Sequence, residues 1–262
     1  MKTRIIDIEE IQLLETEMLS YVNQICKKHN ITYYMHAGTA LGAIRHKGPI
    51  PWDDDVDIIV PIDEIDFFVD IMRRELPDKY IVYSKEDNPY NRILFPRICM
   101  RNNNPLVAYI DVFPLVGLPD DSAKQIKFSK QSDIMNMLYS FKYREIFKVR
   151  NPIKRFLEYI FVFFLKIIPF SLWQNTFDRH IRKYDYIKAK YVMNPCGMKG
   201  TKNIIEKSVY GSPVMVEYSG MQLPIAEQYE KYLTHYYGDY KKYPSDEIIE
   251  KGLNKKVEYH EQ

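Results

Sequence analysis

The first 30 residues show a helical spacing of apolar positions. Apolar residues recur three or four positions apart, with polar residues between them, at Ile8, Ile11, Leu14, Met18, Val22 and Ile25. Such a period places them on one face of an α-helix. The segment therefore predicts an amphipathic helix, and the acids inside it exclude a cleavable signal peptide.

Apolar runs rich in β-branched and aromatic residues follow this helix and predict strands. The candidates are 31–35, the acidic and then apolar run within 49–62 that ends at Pro61, 79–84, 91–100 and 105–117. Residues 62–76 return to helical spacing, and a short helix is expected after the small-residue turn that begins at His36. The pattern predicts a mixed α/β fold for residues 1–118.

The rest of the chain divides into two further parts. Residues 119–207 have mostly helical spacing, and residues 208–262 include a helix that is expected to start at Pro224 and to end near Gly238. The predicted fold class is α/β, with a mixed sheet, flanking helices and a mainly helical insertion at 119–207.

The composition narrows the class of protein. Of the 262 residues, 46% are hydrophobic and 27% are charged, and the mean hydropathy is −0.37. These values exclude a disordered chain, a collagen-like chain and a polytopic membrane protein. Three separated cysteines without a C-x-x-C pair favour neither a disulfide framework nor a structural zinc site, and they point to a reducing compartment.

The net charge of +2 hides an uneven distribution of charge. Between Lys124 and Lys207 there are 18 Lys and Arg against 6 Asp and Glu, a balance of +12, and the remainder carries −10. Such a basic segment suits an anionic lipid surface or an anionic polymer, or it is a solvated helical surface. No DNA- or RNA-binding motif accompanies it, so no nucleic acid partner is expected.

The most apolar stretch is 156–170, FLEYIFVFFLKIIPF. It is shorter than the roughly 20 residues of a spanning helix, and it contains Glu158 and Lys166. Basic residues precede it at 148–155. These features predict either an in-plane helix at a membrane surface or a buried core helix, and they do not predict a membrane span.

A run of acids leads into an apolar strand at Trp52-Asp53-Asp54-Asp55-Val56-Asp57. Alternate residues of a strand face the same side, so Asp53, Asp55 and Asp57 are expected to project together. Carboxylates at this spacing repel one another and need a cation nearby. An all-oxygen cluster favours Mg²⁺ or Mn²⁺ over Zn²⁺, whereas the alternative is a solvated acidic turn.

Asp111 is a lone acid inside the apolar strand predicted at 105–117. A carboxylate in such surroundings needs a partner. Either it completes the metal site of Asp55 and Asp57, or it forms a salt bridge with Arg92, Arg97 or Arg101.

Gly38-Thr39 opens the predicted short helix, where free N–H groups and a threonine hydroxyl can bind a phosphate. Three cationic residues, Arg45, His46 and Lys47, follow before the acids begin. Together with the acids, these residues predict a phosphate-handling site, although His46 is equally well an ordinary loop residue.

A strand, a Gly-Thr helix, an Asp-x-Asp strand and a later strand with one Asp resemble the arrangement of the nucleotidyltransferase superfamily. More closely, residues 36–57, HAGTALGAIRHKGPIPWDDDVD, resemble the signature of the LicD family, to which the fukutin-type sugar phosphotransferases are similar. Residues 109–117 and 232–244 also match its habits. One departure is Ala37, where many members have a second glycine.

The resemblance implies a nucleotidyltransferase-like catalytic core at 1–118, completed by residues 208–262. It implies a metal-dependent phosphotransferase that moves phosphocholine from CDP-choline to a glycan hydroxyl and releases CMP. Asp55 and Asp57 would hold Mg²⁺ or Mn²⁺, and Asp111 would be a third metal ligand or would take the acceptor proton. The residues expected to contact the substrate are Gly38, Thr39, Arg45, His46 and Asp53.

Two other functions stay open. The transferred group is another phospho-alcohol, such as glycerol phosphate or ribitol phosphate, or the chain is a catalytically inactive, membrane-associated scaffold that binds nucleotides. The intact set of acids argues against the scaffold. The expected location is the cytoplasm, at the inner face of the cell membrane, where the acceptor would be a teichoic acid, a capsular polysaccharide or another lipid-linked glycan.

Overall fold

A mixed sheet of seven strands forms the centre of the fold within the residues that the computed structural model describes, namely 3–84, 93–101, 103–104, 106–143, 151–197 and 199–260. In the order in which they lie side by side, the strands are β2 (Tyr34–Met35), β3 (Val56–Pro61), β6 (Tyr109–Leu118), β5 (Arg97–Met100) and β4 (Tyr80–Tyr83), with β7 (Tyr191–Met193) on β6 and β8 (Ile205–Glu206) on β7. β3 and β6 are parallel, and the other neighbouring pairs are antiparallel. The mixed α/β fold predicted from the sequence is confirmed.

Helices flank this sheet. They are α1 (Ile8–His29), α2 (Ala37–His46), α3 (Ile65–Glu75), α4 (Ser122–Lys142), α5 (Pro152–Ile167), α6 (Phe170–Ile181), α7 (Lys207–Tyr210), α8 (Tyr229–Tyr237) and α9 (Asp246–Leu253). α1 begins where the Asp7 side chain accepts a hydrogen bond from the Glu10 N–H, which satisfies one free donor of its first turn. Its predicted apolar face is buried, with Ile11, Met18 and Val22 fully inaccessible.

Two smaller strand pairs were not predicted. β9 (Val214–Tyr218) and β10 (Met221–Ile225) form a hairpin through Ser219 and Gly220, whose positive φ values suit a tight two-residue turn. Near the two ends of the chain, β1 (Thr3–Asp7) pairs with β11 (Lys256–His260).

The start that the sequence predicted for the C-terminal helix is wrong. Pro224 lies in β10, and α8 begins only at Tyr229, because the register of the hairpin extends the strand to Ile225. The predicted end is confirmed, since Gly238 follows α8 with a φ of +69°.

The apolar stretch at 156–170 lies mostly on α5, and its side chains face outward. Phe156, Phe164 and Ile167 are each at least 60% exposed, whereas Val162 and Leu165 are buried. α5 is therefore not a buried core helix. Among the described residues no single helix is long and apolar enough for a membrane span, and α5 and α6 meet that test only as a pair bent by 80°.

Ala37 begins α2 with a φ of +43°, in the left-handed region that disfavours residues with a Cβ. We expect Ala37→Gly to raise the free energy of unfolding by about 1 kcal/mol, because glycine adopts this conformation without strain. Ala40→Gly is the matched control in the same helix and should lower stability by about 1 kcal/mol. Urea unfolding of the three proteins tests both signs, and equal losses in the two variants would contradict the strain at Ala37.

Candidate functional site

Three charged side chains form a row across neighbouring strands of the central sheet. Asp57 on β3 is paired with Asp111 on the parallel strand β6, and Asp111 is paired with Arg97 on β5. Because directly paired residues face the same side of a sheet, all three point toward one surface. This row is the centre of the site.

Asp111 forms a bidentate ion pair with Arg97. Arg97 Nε donates to Asp111 Oδ1 at 2.6 Å and Arg97 Nη2 donates to Oδ2 at 2.9 Å, and both side chains are buried. The guanidinium carbon also lies 3.9 Å from the centre of the Tyr109 ring. Of the three arginines considered from the sequence, Arg97 is therefore the partner, Arg101 bonds to backbone carbonyls of Asp78 and Tyr80, and Arg92 lies outside the described residues.

Asp53 and Asp55 precede the strand instead of lying on it, since β3 begins at Val56. The alternation expected from Asp53 to Asp57 is therefore wrong as a strand argument. A loop places these acids beside the row instead, because the Gln12 amide donates to the carbonyls of Ile50 and Asp53, at 2.8 Å each. Asp54 forms an ion pair with Lys255.

Glycine is required where this loop meets α2. A Cβ added at Gly38 would overlap Asp53 Oδ2, so the absence of a side chain at Gly38 lets the carboxylate lie against the start of the helix. Thr39 is buried, and its hydroxyl oxygen accepts a hydrogen bond from the Asp57 N–H at 2.8 Å. The predicted pair Gly38-Thr39 thus lies at the acids, with the Thr39 hydroxyl fixing the first turn of α2 to β3.

Burial and mutual repulsion act together on the carboxyl groups. Burial, followed by repulsion from the Asp53 and Asp111 carboxylates, raises the pKa of Asp55 to about 7 against the opposing charge of Arg97. Burial, followed by Asp55 and Asp111, also raises the pKa of Asp57 well above its usual range. Groups in this state take up either a proton or a neighbouring cation.

The carboxylates of this site fit a hard divalent cation whose remaining ligands come from a substrate and from water. Asp111 is already engaged by Arg97, and within the described ranges no three His, Cys, Asp or Glu side chains form a ready-made metal cage. Asp55 and Asp57 thus offer two carboxylates, which is how Mg²⁺ commonly binds when phosphate oxygens and waters complete its shell. That Asp111 is a third ligand stays a prediction.

His36 is buried next to Asp57, whose carbonyl accepts the His36 N–H. Its ring nitrogens lie 2.7 Å from the Tyr232 hydroxyl and 3.2 Å from the Asn194 side-chain nitrogen, and burial lowers the pKa of His36 to about 3. The imidazole is therefore neutral at pH 7 and joins three distant parts of the chain. The Tyr232 hydroxyl also accepts the Ala37 N–H at 2.9 Å, which fixes the strained start of α2.

Arg45 and His46 lie at the far end of α2, among aromatic rings. Arg45 Nε donates to His46 Nε2 at 2.9 Å, and His46 packs edge-on against Trp52 and Tyr243. Burial and then Arg45 lower the pKa of His46. Arg45 shares a cavity with Gly38 and Asp53, so the predicted substrate contacts fall at two adjoining places.

The sequence did not identify Lys199. Its charge lowers the pKa of Asp57 against the larger effect of burial, and its Nζ lies 5.6 Å from the centre of the Tyr237 ring. The turn Asn194-Pro195-Cys196-Gly197 brings it there, and that turn was visible in the sequence without any sign of what it faces. Burial raises the pKa of the Cys196 thiol well above its usual range, which disfavours a thiolate nucleophile there.

Comparison with known proteins finds a matching family model and several similar proteins. The family model described as "LicD/FKTN/FKRP, nucleotidyltransferase domain" matches residues 30–151. The chain is 29% identical over 250 residues to the lipopolysaccharide cholinephosphotransferase LicD of Haemophilus influenzae, covering 92% of this chain and 93% of the relative. An uncharacterized protein of Rickettsia typhi is 46% identical over 52 residues, 20% of this chain and 17% of that protein. One of Rickettsia prowazekii is 28% identical over 120 residues, 38% of this chain and 44% of that protein.

Proposed function

Residues 30–151 match the LicD-type nucleotidyltransferase domain, which confirms the resemblance seen in the sequence, and on that premise we propose that the chain is a phosphotransferase. It moves phosphocholine from CDP-choline to a hydroxyl of a cell-surface glycan and releases CMP. The observation that carries the proposal is the cluster of Asp55, Asp57 and Asp111 inside the matched region. The choice of choline is supported by the long alignment with a cholinephosphotransferase.

In-line transfer at phosphorus requires positioning and neutralisation of charge more than covalent chemistry. Asp55 and Asp57 would hold Mg²⁺ or Mn²⁺, and that cation would neutralise the diphosphate of the donor. Arg97 orients Asp111 and lowers its pKa against the larger effect of burial, so that the carboxylate can serve as a ligand or accept the proton of the attacking hydroxyl.

Two groups of this chain would contact the phosphates. The N–H groups of Gly38 and Thr39 belong to the first turn of α2, where no carbonyl of the same helix accepts them. Lys199 adds a positive charge near Asp57. The Asp53 carboxylate lies against Gly38 and would form the edge of this phosphate-binding surface.

Calorimetric titration with CDP-choline, CDP-glycerol and CDP-ribitol, with and without Mg²⁺, tests the proposal. We expect CDP-choline to bind in a metal-dependent way and at least tenfold more tightly than the two polyol donors. A preference for a polyol donor would keep the mechanism and change the product to a glycerol phosphate or ribitol phosphate ester. If none of the three binds, the chain is not a transferase of this kind, and the carboxylates serve another nucleotide or none.

We also propose that the enzyme works at the cytoplasmic face of the cell membrane, on an acceptor such as teichoic acid, capsular polysaccharide or another lipid-linked glycan. The exposed apolar side of α5 supports this location, together with Lys154 and Arg155 in its first turn. Apolar and basic groups on one helix are the combination that binds an anionic bilayer in its plane.

Flotation with anionic and with neutral liposomes measures this contact. We expect the protein to float with anionic vesicles and to stay in the lower fractions with neutral ones. The double variant Phe156→Asp/Phe164→Asp should remain below in both cases, because it places charge on the apolar side of α5. Leu13→Asp is the matched control, since Leu13 is 70% exposed on α1, and co-flotation equal to that of Phe156→Asp/Phe164→Asp would refute the role of α5.

A further inference from the structure

A cavity of about 420 Å³ adjoins the carboxylate cluster. Four aromatic side chains line it, at Trp52, Tyr237, Tyr240 and Tyr243. Gly38 and Asp53 form its wall toward the reaction site, so the cavity and the phosphate-handling surface share two residues. A group attached to a phosphate at Asp55 and Asp57 can therefore extend into this cavity.

Tyr237 lines the cavity and also lies near the acids. Tyr237 is the last residue of α8, and burial, followed by the carboxylates of Asp57, Asp53 and Asp55, raises its pKa. Its hydroxyl thus lies within the field of all three acids, while the same side chain lines the cavity.

Two of the rings already hold a cation of the protein. The Arg45 guanidinium carbon lies 4.6 Å from the centre of the Tyr243 ring and 5.7 Å from that of Trp52. Both distances fall within the roughly 6 Å range of a cation–π contact. Arg45 Nη1 also donates to the carbonyls of Tyr240 and Lys242, at 3.4 and 3.3 Å, so this arginine holds the segment 240–243 against Trp52.

We infer that this aromatic cavity binds the quaternary ammonium group of the transferred alcohol. The inference rests on the proposed function and adds the site that selects choline. Ring faces attract a trimethylammonium group, and the carboxylates of Asp53 and Asp239 in the lining offset the charges of Arg45 and Lys242, which line the cavity as well. A polyol would place hydroxyl groups against ring faces that offer them few hydrogen-bond partners.

A single-tryptophan protein provides a direct readout. Trp173 is 8% exposed and lies outside the cavity, so Trp173→Phe leaves Trp52 as the one fluorophore of its kind. We titrate this protein with choline chloride, ethanolamine hydrochloride or glycerol. Choline is expected to change the Trp52 emission in a saturable way, at a concentration at least tenfold below that needed for ethanolamine, and glycerol to have no effect.

Ring removal is the second measurement. Tyr243→Leu or Tyr237→Leu in the Trp173→Phe background should weaken choline binding about tenfold each. Tyr229→Leu, on the same helix as Tyr237 but outside the cavity, should leave it unchanged. A circular dichroism melt of each variant identifies any that fails to fold, in which case Tyr243→Phe and Tyr237→Phe replace it and should retain choline binding.

Three results would overturn the inference: no response to choline, equal responses to choline and ethanolamine, or displacement of choline by CMP, which would assign the cavity to the nucleotide. Transfer from labelled CDP-choline is assayed separately on the same Trp173→Phe protein. Choline binding without transfer would leave the cavity as inferred and remove the proposed function, whereas transfer without a choline response would do the reverse.

Discussion

Asp57→Asn and Asp55→Asn, made separately, are each expected to lower the rate of phosphocholine transfer by about a thousandfold without unfolding the protein. Each change removes one of two carboxylates that would hold the divalent cation, and such a loss corresponds to several kcal/mol of transition-state stabilisation. Transfer of label from CDP-choline at saturating Mg²⁺ measures the effect.

Asp54→Asn is the control for charge alone. Asp54 belongs to the same acidic run, yet its carboxylate pairs with Lys255 and not with the cluster. We expect its rate to stay within about threefold of the unchanged protein, since a partly exposed ion pair outside the cluster contributes little. Near-full activity of either folded variant, Asp55→Asn or Asp57→Asn, would remove these residues from the mechanism.

The same two substitutions should stabilise the metal-free protein at pH 8. The folded-state pKa of Asp55 is raised from an ordinary value of 3.8 to about 7, so the folded protein binds this proton more tightly than the unfolded chain does. The stability that results is complete below about pH 4 and is lost as the pH rises through 7. Thermal melts of the metal-free protein should therefore show a lower midpoint at pH 8 than at pH 5, and a smaller difference in Asp55→Asn.

The acid cluster could be predicted from the sequence because its main members are local. Asp53, Asp55 and Asp57 are neighbours in the chain, and an apolar strand directly after them places one end at the sheet. The alternation of side chains along a strand was the wrong reason for the position of Asp53. The Gln12 amide and the absence of a side chain at Gly38 hold Asp53 beside the strand instead. Gln12 is 41 residues away, and its contact has no local signature in the sequence.

The residues that close the site could not be predicted, because they come from the far half of the chain. Lys199 and Tyr237 reach the acids only through the pairing of β7 with β6 and the packing of α8 on α2. The aromatic content of the chain also hid the cavity, because 22 tyrosines give no means of choosing Tyr237 or Tyr243 without coordinates. The partner of Asp111 likewise depends on strand register, and without that register the sequence left three nearby arginines as candidates.

The second large effect is expected in stability. Arg97→Met should lower the free energy of unfolding at pH 8 by about 3–5 kcal/mol, because it leaves the Asp111 carboxylate buried without its partner and close to Asp57. It also removes the contact of the guanidinium with the Tyr109 ring. Urea unfolding of the metal-free protein measures the change, and a loss below 1 kcal/mol would show that the ion pair does not hold the site together.

The charge-neutral double variant separates the two causes of this loss. Arg97→Met/Asp111→Asn has no unpaired buried charge, so it should be more stable than Arg97→Met alone at pH 8. The single variant should recover as the pH falls, since burial already raises the pKa of Asp111 and removal of Arg97 raises it further, so that the folded state takes up a proton. If Arg97→Met is equally unstable at pH 5 and pH 8, the cause of the instability is lost packing and not charge. Arg97 would then have a structural role only and would not adjust the pKa of Asp111 for transfer.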